Sequence, residues 1–253
     1  MPPVRGLALC SAVRSDVGRR ANNEDSVFAS TRLAVVADGV GGAAAGEVAS
    51  RTIVDALIGL DKRRVPGRLD DALAEAVAWG NDTIGFVATC RPQTRGMSTT
   101  LTAVALADDG TYVVANVGDS RTYLLRDRAL ALLTRDDSLV QELLESGRLT
   151  AAQARRHPGR SIVLAALDGI AERAPTLTTV EARVGDRLLL CSDGLSDVVD
   201  DGALREALLA HASPRACADR LVELALVTGA RDNVSAVVAD VVARHDQADA
   251  WSG

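Results

Sequence analysis

Apolar positions in this chain recur with two periods. Runs of aliphatic and β-branched residues at 7–13, 25–29 and 33–37 predict strands, and the third is apolar throughout, as a strand buried on both faces would be. Between 46 and 60 the period changes. Val48, Ile53, Leu57 and Leu60 recur at helical spacing, and Leu73, Val77 and Ile84 do the same in a second predicted helix over 69–87. Pro66-Gly67 separates the two. The middle is strand-rich again, with strands expected at 99–107, 112–117 and 121–125 and a hairpin turn at Asp108-Asp109-Gly110. Helix is predicted at 136–146, closed by Gly147, and again from Thr150 as far as Pro158. A strand at 187–191, helices at 201–211 and 214–227, and an apolar strand at 234–242 complete the pattern. Strands and helices mix without regular alternation, which predicts an α+β fold of antiparallel sheets covered by helices. No repeat, low-complexity tract or linker divides the chain, so a single domain over 1–253 is expected.

A chain of 253 residues can bury an ample core without disulfides. Cys10, Cys90, Cys191 and Cys217 form no CxxC or Cys/His pair, so reduced thiols in a cytoplasmic protein are expected, not zinc or redox sites. A formal net charge of −6 and an aromatic content of 2% argue against nucleic acid as a partner. No uninterrupted apolar run reaches the roughly 18 residues of a membrane helix, so no membrane segment is predicted.

Aspartate recurs where apolar strands meet turns: Val36-Ala37-Asp38-Gly39, Val117-Gly118-Asp119-Ser120, Cys191-Ser192-Asp193-Gly194 and Arg231-Asp232-Asn233-Val234. A single Asp-Gly is an ordinary turn. Four at strand ends, with Glu24-Asp25 besides, would converge if the strands lie together, and hard cations such as Mg²⁺ or Mn²⁺ then neutralise their repulsion. The glycine-rich stretch 38–46 has neither Gly-Lys-Ser/Thr nor GxGxxG spacing, and it opens with a carboxylate, so it is not a phosphate-cradling loop.

The motifs resemble those of the type 2C, metal-dependent (PPM) protein serine/threonine phosphatases of bacteria. They are SDVGRRANNEDS at 15–26, ADGVGG at 37–42 with GEVAS at 46–50, GMSTTL at 96–101, VGDSR at 117–121, CSDGLSD at 191–197 and DNVS at 232–235. The resemblance implies a four-layer sandwich of two antiparallel sheets flanked by helices. It implies Asp38 bridging two cations, Mn²⁺ or Mg²⁺, with the Gly39 carbonyl on one, Asp193 and Asp232 on the other, and Glu24 and Asp25 acting through water. Asp119, with Asp193, falls where bacterial relatives hold a weaker third metal, and Arg20 where the family binds phosphate. The implied reaction is hydrolysis of phosphoserine and phosphothreonine in proteins by a water bridging the two cations. Implied partners are phosphorylated proteins and the serine/threonine kinases whose action it opposes, and a monomer is expected.

Residues 136–167 resemble the flap beside the active site of such enzymes, and Arg155, Arg156 and Arg160 within it would either steer phosphopeptides or form a solvated face. Departures from the family pattern are Val40 and Ala43 where many relatives carry histidine, Ser98 in place of glycine, and Arg231 in place of proline. None removes a ligand, but no residue stands assigned as general acid. The alternatives are an inactive relative that only binds phosphoproteins, a two-metal nuclease, which the acidic charge disfavours, and a phosphatase dedicated to one phosphoserine regulator.

Overall fold

The computed structural model describes residues 6–41, 45–62, 68–154 and 156–244. One sheet runs in the order β1 (Leu7–Asp16), β12 (Val234–Ala243), β11 (Arg187–Cys191), β8 (Arg121–Arg126), β9 (Ala129–Leu132). The other runs β10 (Thr176–Glu181), β7 (Thr111–Val117), β6 (Leu101–Leu106), β3 (Leu33–Ala37), β2 (Ser26–Ala29). Every pairing in both is antiparallel. A short ribbon of β4 (Gly39–Val40) and β5 (Ser98–Thr99) continues from the end of β3.

Alternation along the strands sorts side chains between layers. On β3, Ala34 and Val36 join Leu188, Leu190, Val237 and Tyr112 between the two sheets. Leu33, Val35 and Ala37 instead meet α1 (Ala45–Lys62) and α2 (Leu69–Cys90) through Ile53, Leu57, Leu73, Val77 and Ile84. On β11, Leu189 and Cys191 point the other way, to α6 (Asp201–Ala210) and α7 (Pro214–Thr228), where Leu204, Leu208, Leu221 and Val222 cover them. Each such leucine, wholly buried, stabilises the fold by about 1.5–3 kcal/mol relative to exposure. The result is the expected α/β/β/α sandwich, and both strand faces are apolar because helices cover the outsides of both sheets.

Antiparallel pairing places the ends of β3, β7 and β11 and the beginnings of β2 and β12 at one end of the sandwich. The register confirms it: Ser26 is opposite Ala37, and Cys191 is opposite Ala236. Asp25, Asp38, Asp119, Asp193 and Asp232 are therefore delivered to a common rim.

Several boundaries differ from the predicted ones. The helix expected from residue 136 begins later, as α3 (Leu139–Glu145), because Ser138 caps it by accepting from the Gln141 N–H. Asp136 and Asp137 serve elsewhere, on Arg121 and on the Gly118 N–H. The short second helix is α4 (Ala151–Ala154). Five elements were not anticipated: the two-residue β4, a single 3₁₀ turn at Pro92–Thr94, β9, β10 and the one-turn α5 (Asp193–Ser196). Among the described residues no helix is long and apolar enough to cross a membrane. Cys191 and Cys217 are buried free thiols, whereas Cys10 and Cys90 are exposed.

Candidate functional site

Asp38 is held by its backbone from two sides. Its N–H donates to Thr100 Oγ at 3.0 Å, and its carbonyl accepts from the Thr100 N–H and the Thr99 hydroxyl, both at 2.9 Å. Thr100 in turn shares a 2.7 Å hydrogen bond with Ser120, the neighbour of Asp119, so hydroxyls tie the two strand-end aspartates together. Past Asp38 the chain passes so close to the start of α1 that a Cβ on Gly46 would stand 2.8 Å from the Gly39 carbonyl oxygen and collide with the Glu24 carboxylate. Glycine at both positions lets the Gly39 carbonyl and Glu24 approach each other.

Asp25 is buried, with Oδ2 accepting from the Ser192 hydroxyl at 2.9 Å. Ser192 itself accepts the Ser235 N–H at 3.0 Å, which links β2, β11 and β12 under the carboxylate. Asn233 performs the same service for the opening loop. Its Nδ2 donates to the carbonyls of Val17 and Asn22, both at 2.9 Å, and its Oδ1 accepts the Glu24 N–H at 2.8 Å. That clamp brings Arg20 over Asp232, to which it is ion-paired at 2.6 Å. Gly18, at φ +59°, passes directly under the Asp232 carbonyl, where a Cβ would collide.

Electrostatics at this rim are unfavourable without a cation. Burial, then the negative charges of Asp25 and Asp193, hold the Asp38 carboxyl well above the usual carboxylate range. Burial also pushes Asp193 up to about 8, reinforced by Asp119, Asp197 and Asp232. Asp25 and Asp119 are each raised by burial to about 6, against the hydrogen bonds of Ser235 and Ser192 at the first and with the charge of Asp136 at the second. Asp38 faces the carboxyls of Asp25 and Asp193, and their like charges raise one another's cost of ionisation.

Among the described residues no three His, Cys, Asp or Glu side chains close into a finished metal cage. Yet Oδ1 of Asp25 and Oδ1 of Asp193 are buried with no hydrogen-bond partner, and the donors at the rim are all oxygen. Buried carboxylate oxygens left unpaired, beside carboxyls forced to keep protons, fit hard divalent cations of the Mg²⁺ or Mn²⁺ kind.

The structure thus brings together Arg20, Glu24, Asp25, Asp38, Gly39, Asp193 and Asp232, with Asp119 on the side facing the flap. Sequence reasoning missed Asn233 and Ser192 as positioning groups and Asp136 and Asp197 as charges acting on Asp119. All four stand inside or beside motifs already noted, but their contacts join positions up to 216 residues apart and leave no local signal. Of the departures, Val40 is half exposed on β4 opposite Ser98, while Ala43 lies outside the described residues, as does Arg155 of the flap. Arg160 is ion-paired to Asp197 at 3.2 Å, which fastens the segment after α4 to the end of α5.

The family model for protein phosphatase 2C matches residues 14–239. The chain belongs to the protein phosphatase 2C family. It is 51% identical over 237 residues to the serine/threonine protein phosphatase PstP of Mycobacterium tuberculosis, covering 93% of this chain and 46% of that protein. It thus spans about half the length of that relative. It is 36% identical to the serine/threonine phosphatase stp of Listeria monocytogenes, covering 90% of this chain and 94% of that one. A solved structure of the PstP catalytic domain in complex with two manganese ions superposes with a TM-score of 0.87 at 48% identity, over 93% of this chain and 99% of that domain. The phosphatase 2C sandwich is therefore the fold of this chain, as the sequence motifs implied.

Proposed function

We propose that this chain is a metal-dependent protein phosphatase that hydrolyses phosphoserine and phosphothreonine in proteins with two divalent cations, Mn²⁺ or Mg²⁺. The observation that carries the reading is the shared, buried rim of Asp25, Asp38 and Asp193 with its two unpaired carboxylate oxygens. The manganese-bound PstP domain supports the choice and number of ions. Asp38 would lie between both cations, the Gly39 carbonyl on one, and Asp193 and Asp232 on the other. Glu24 and Asp25 would act from further out, through water, and Asp119 with Asp193 would take a weaker third ion.

When bound, the cations supply Lewis acidity that activates water at neutral pH and offsets charge on the phosphoryl oxygens. The chain's own groups bind and orient. Arg20 stands exposed at the rim, and its planar guanidinium can engage two phosphate oxygens once it leaves Asp232. Ser120 and Ser192 are both committed to hydrogen bonds inside the site, and no histidine adjoins them in sequence, which supports water and not a serine as the nucleophile. Burial of Thr99, Thr100, Ser120 and Ser192 keeps the ligands rigid, which favours reaction over reorganisation.

In its finer detail the reading is of one catalytic domain over 1–253, monomeric and cytoplasmic, with a flap over 136–167, opposing bacterial serine/threonine kinases. The test is phosphate release from a phosphothreonine peptide with Mn²⁺, with Mg²⁺ and with EDTA, for wild type beside Asp193→Asn. Release that requires metal and collapses in the variant supports the proposal; metal binding without release overturns it.

A further inference from the structure

Aromatic residues are only 2% of this chain, yet Trp79 and Phe86 both stand on the outer face of α2, 62% and 68% exposed. Seven residues apart, they occupy one stripe two helical turns long. Ile170, 86% exposed, is presented beside that helix by a loop fastened to its flank. Asn81 accepts the Gly169 N–H and donates to the Ala171 carbonyl, both at 2.9 Å, and Gly169 lies against the backbone of Gly85 so closely that neither position admits a Cβ. A loop anchored this firmly holds an isoleucine in water at a cost that core packing does not explain.

Acidic side chains frame the same surface. Glu75 and Asp82 on α2 and Glu172 beside Ile170 are exposed and make no ion pair among the described residues. Along the chain Arg68, at the start of the helix, is taken by Asp70 and Asp71, Arg91 and Arg95 come after its end, and Arg173, next to Glu172, makes no ion pair with any of the three acids among the described residues. A second copy of this face is a poor occupant. The antiparallel two-fold pairing that would stack Trp79 on Phe86 centres between residues 82 and 83, sets Asp82 opposite Thr83 and leaves the two Asp82 side chains only one residue's rise apart, a like-charge contact.

We propose that the outer face of α2 and the 168–172 loop form a docking surface for a cationic amphipathic segment of a partner protein. Its apolar residues would cover Trp79, Phe86 and Ile170 while arginine or lysine side chains pair with Glu75, Asp82 and Glu172. The loop also connects this surface to the aspartate rim. Leu167 exchanges two backbone hydrogen bonds with Thr99, at 2.9 and 3.0 Å, and the Thr99 hydroxyl holds the Asp38 carbonyl. A segment seated here would lie against the rear attachment of the flap without touching the rim itself.

The test is titration of the full chain with a fluorescein-labelled helical peptide of about 15 residues, leucine on one face and arginine on the other, read by fluorescence anisotropy. The controls are a scrambled peptide of the same composition and a counterpart with glutamate for arginine. Saturable binding of the amphipathic cationic peptide alone is expected, weakened at least about tenfold in Trp79→Ser/Phe86→Ser and again in Glu75→Lys/Asp82→Lys. All four side chains are exposed, so the variants keep the fold, which their circular dichroism melts verify. Equal binding of the scrambled peptide, or affinity unchanged in both variants, overturns the proposal. So does a wild-type dimer in sedimentation equilibrium that Trp79→Ser/Phe86→Ser converts to monomer, because the face would then belong to a second copy. Neither readout depends on catalysis.

Discussion

The carboxamide of Asn233 accepts the backbone N–H of Glu24 across 209 residues of sequence, and the same side chain holds the carbonyls of Val17 and Asn22. One buried residue thereby sets the path of the whole loop that carries Arg20 and Glu24. Asn233→Ala strands one donor and two acceptors at the rim and should lower unfolding stability by about 2–4 kcal/mol, measured by urea denaturation. Asn233→Asp keeps an acceptor for Glu24 but loses both donors and adds a buried negative charge facing two carbonyls beside the carboxylate cluster, so it should cost at least as much stability as alanine at neutral pH.

The stability of the metal-free protein should rise as pH falls from about 8.5 to about 5.5. Asp193 titrates at about 8 in the folded chain, and Asp25 and Asp119 at about 6. In the unfolded chain each lies near 3.9, roughly, so the folded state binds more protons across this window and is favoured as they are supplied. Thermal melts in EDTA should therefore show a higher Tm at the acidic end. Saturating Mn²⁺ should flatten that dependence and raise Tm most at the alkaline end, where the carboxylates are charged. A metal-free Tm that climbs with pH across this range would contradict the account.

Asp193→Asn removes a carboxyl that, above about pH 8, carries its charge among like charges, so above that pH the variant should be more stable than wild type in EDTA, by about 1–2 kcal/mol. It should also lose most of the Tm gain that Mn²⁺ gives the wild type. Opposite signs for stability and for metal response in a single variant separate a functional carboxylate from a structural one.

Arg160→Ala breaks the pair that fastens the segment after α4 to Asp197. Both partners are partly exposed, and such a pair contributes only about 0.2–1 kcal/mol, so global stability should barely change. Limited proteolysis within 156–164 should nonetheless quicken, and KM for a phosphopeptide should rise more than kcat falls.

Much of this fold can be read from the sequence because both sheets are covered, which makes β3, β6, β7, β11 and β12 continuous apolar runs with turn residues at their ends. β9 escaped because its hairpin turns on Asp127-Arg128, both at positive φ without glycine, so the usual marker is missing. β10 escaped because it is a threonine-rich edge strand, only partly buried. α5 hides inside the Asp193 motif, whose Asp-Gly reads as a turn although it opens a helical turn. The aspartates of the rim were legible from their places at strand ends. Asn233, Ser192 and Thr100, which aim them, were not, since a buried hydroxyl or amide declares its partner only after the strands are side by side.

β1 and β12 pair over ten residues, from Leu7 with Ala243 to Asp16 with Val234. The rim is assembled from both extremes of the chain, with Arg20, Glu24 and Asp25 near one and Asp232 and Asn233 near the other. During synthesis on a ribosome, therefore, the first strand waits at the edge of an incomplete sheet until nearly the whole domain has emerged. Every earlier nascent length lacks Asp232 and the Asn233 clamp. The complete rim forms only when β12 pairs with β1, so its assembly and the closing of that sheet are a single event.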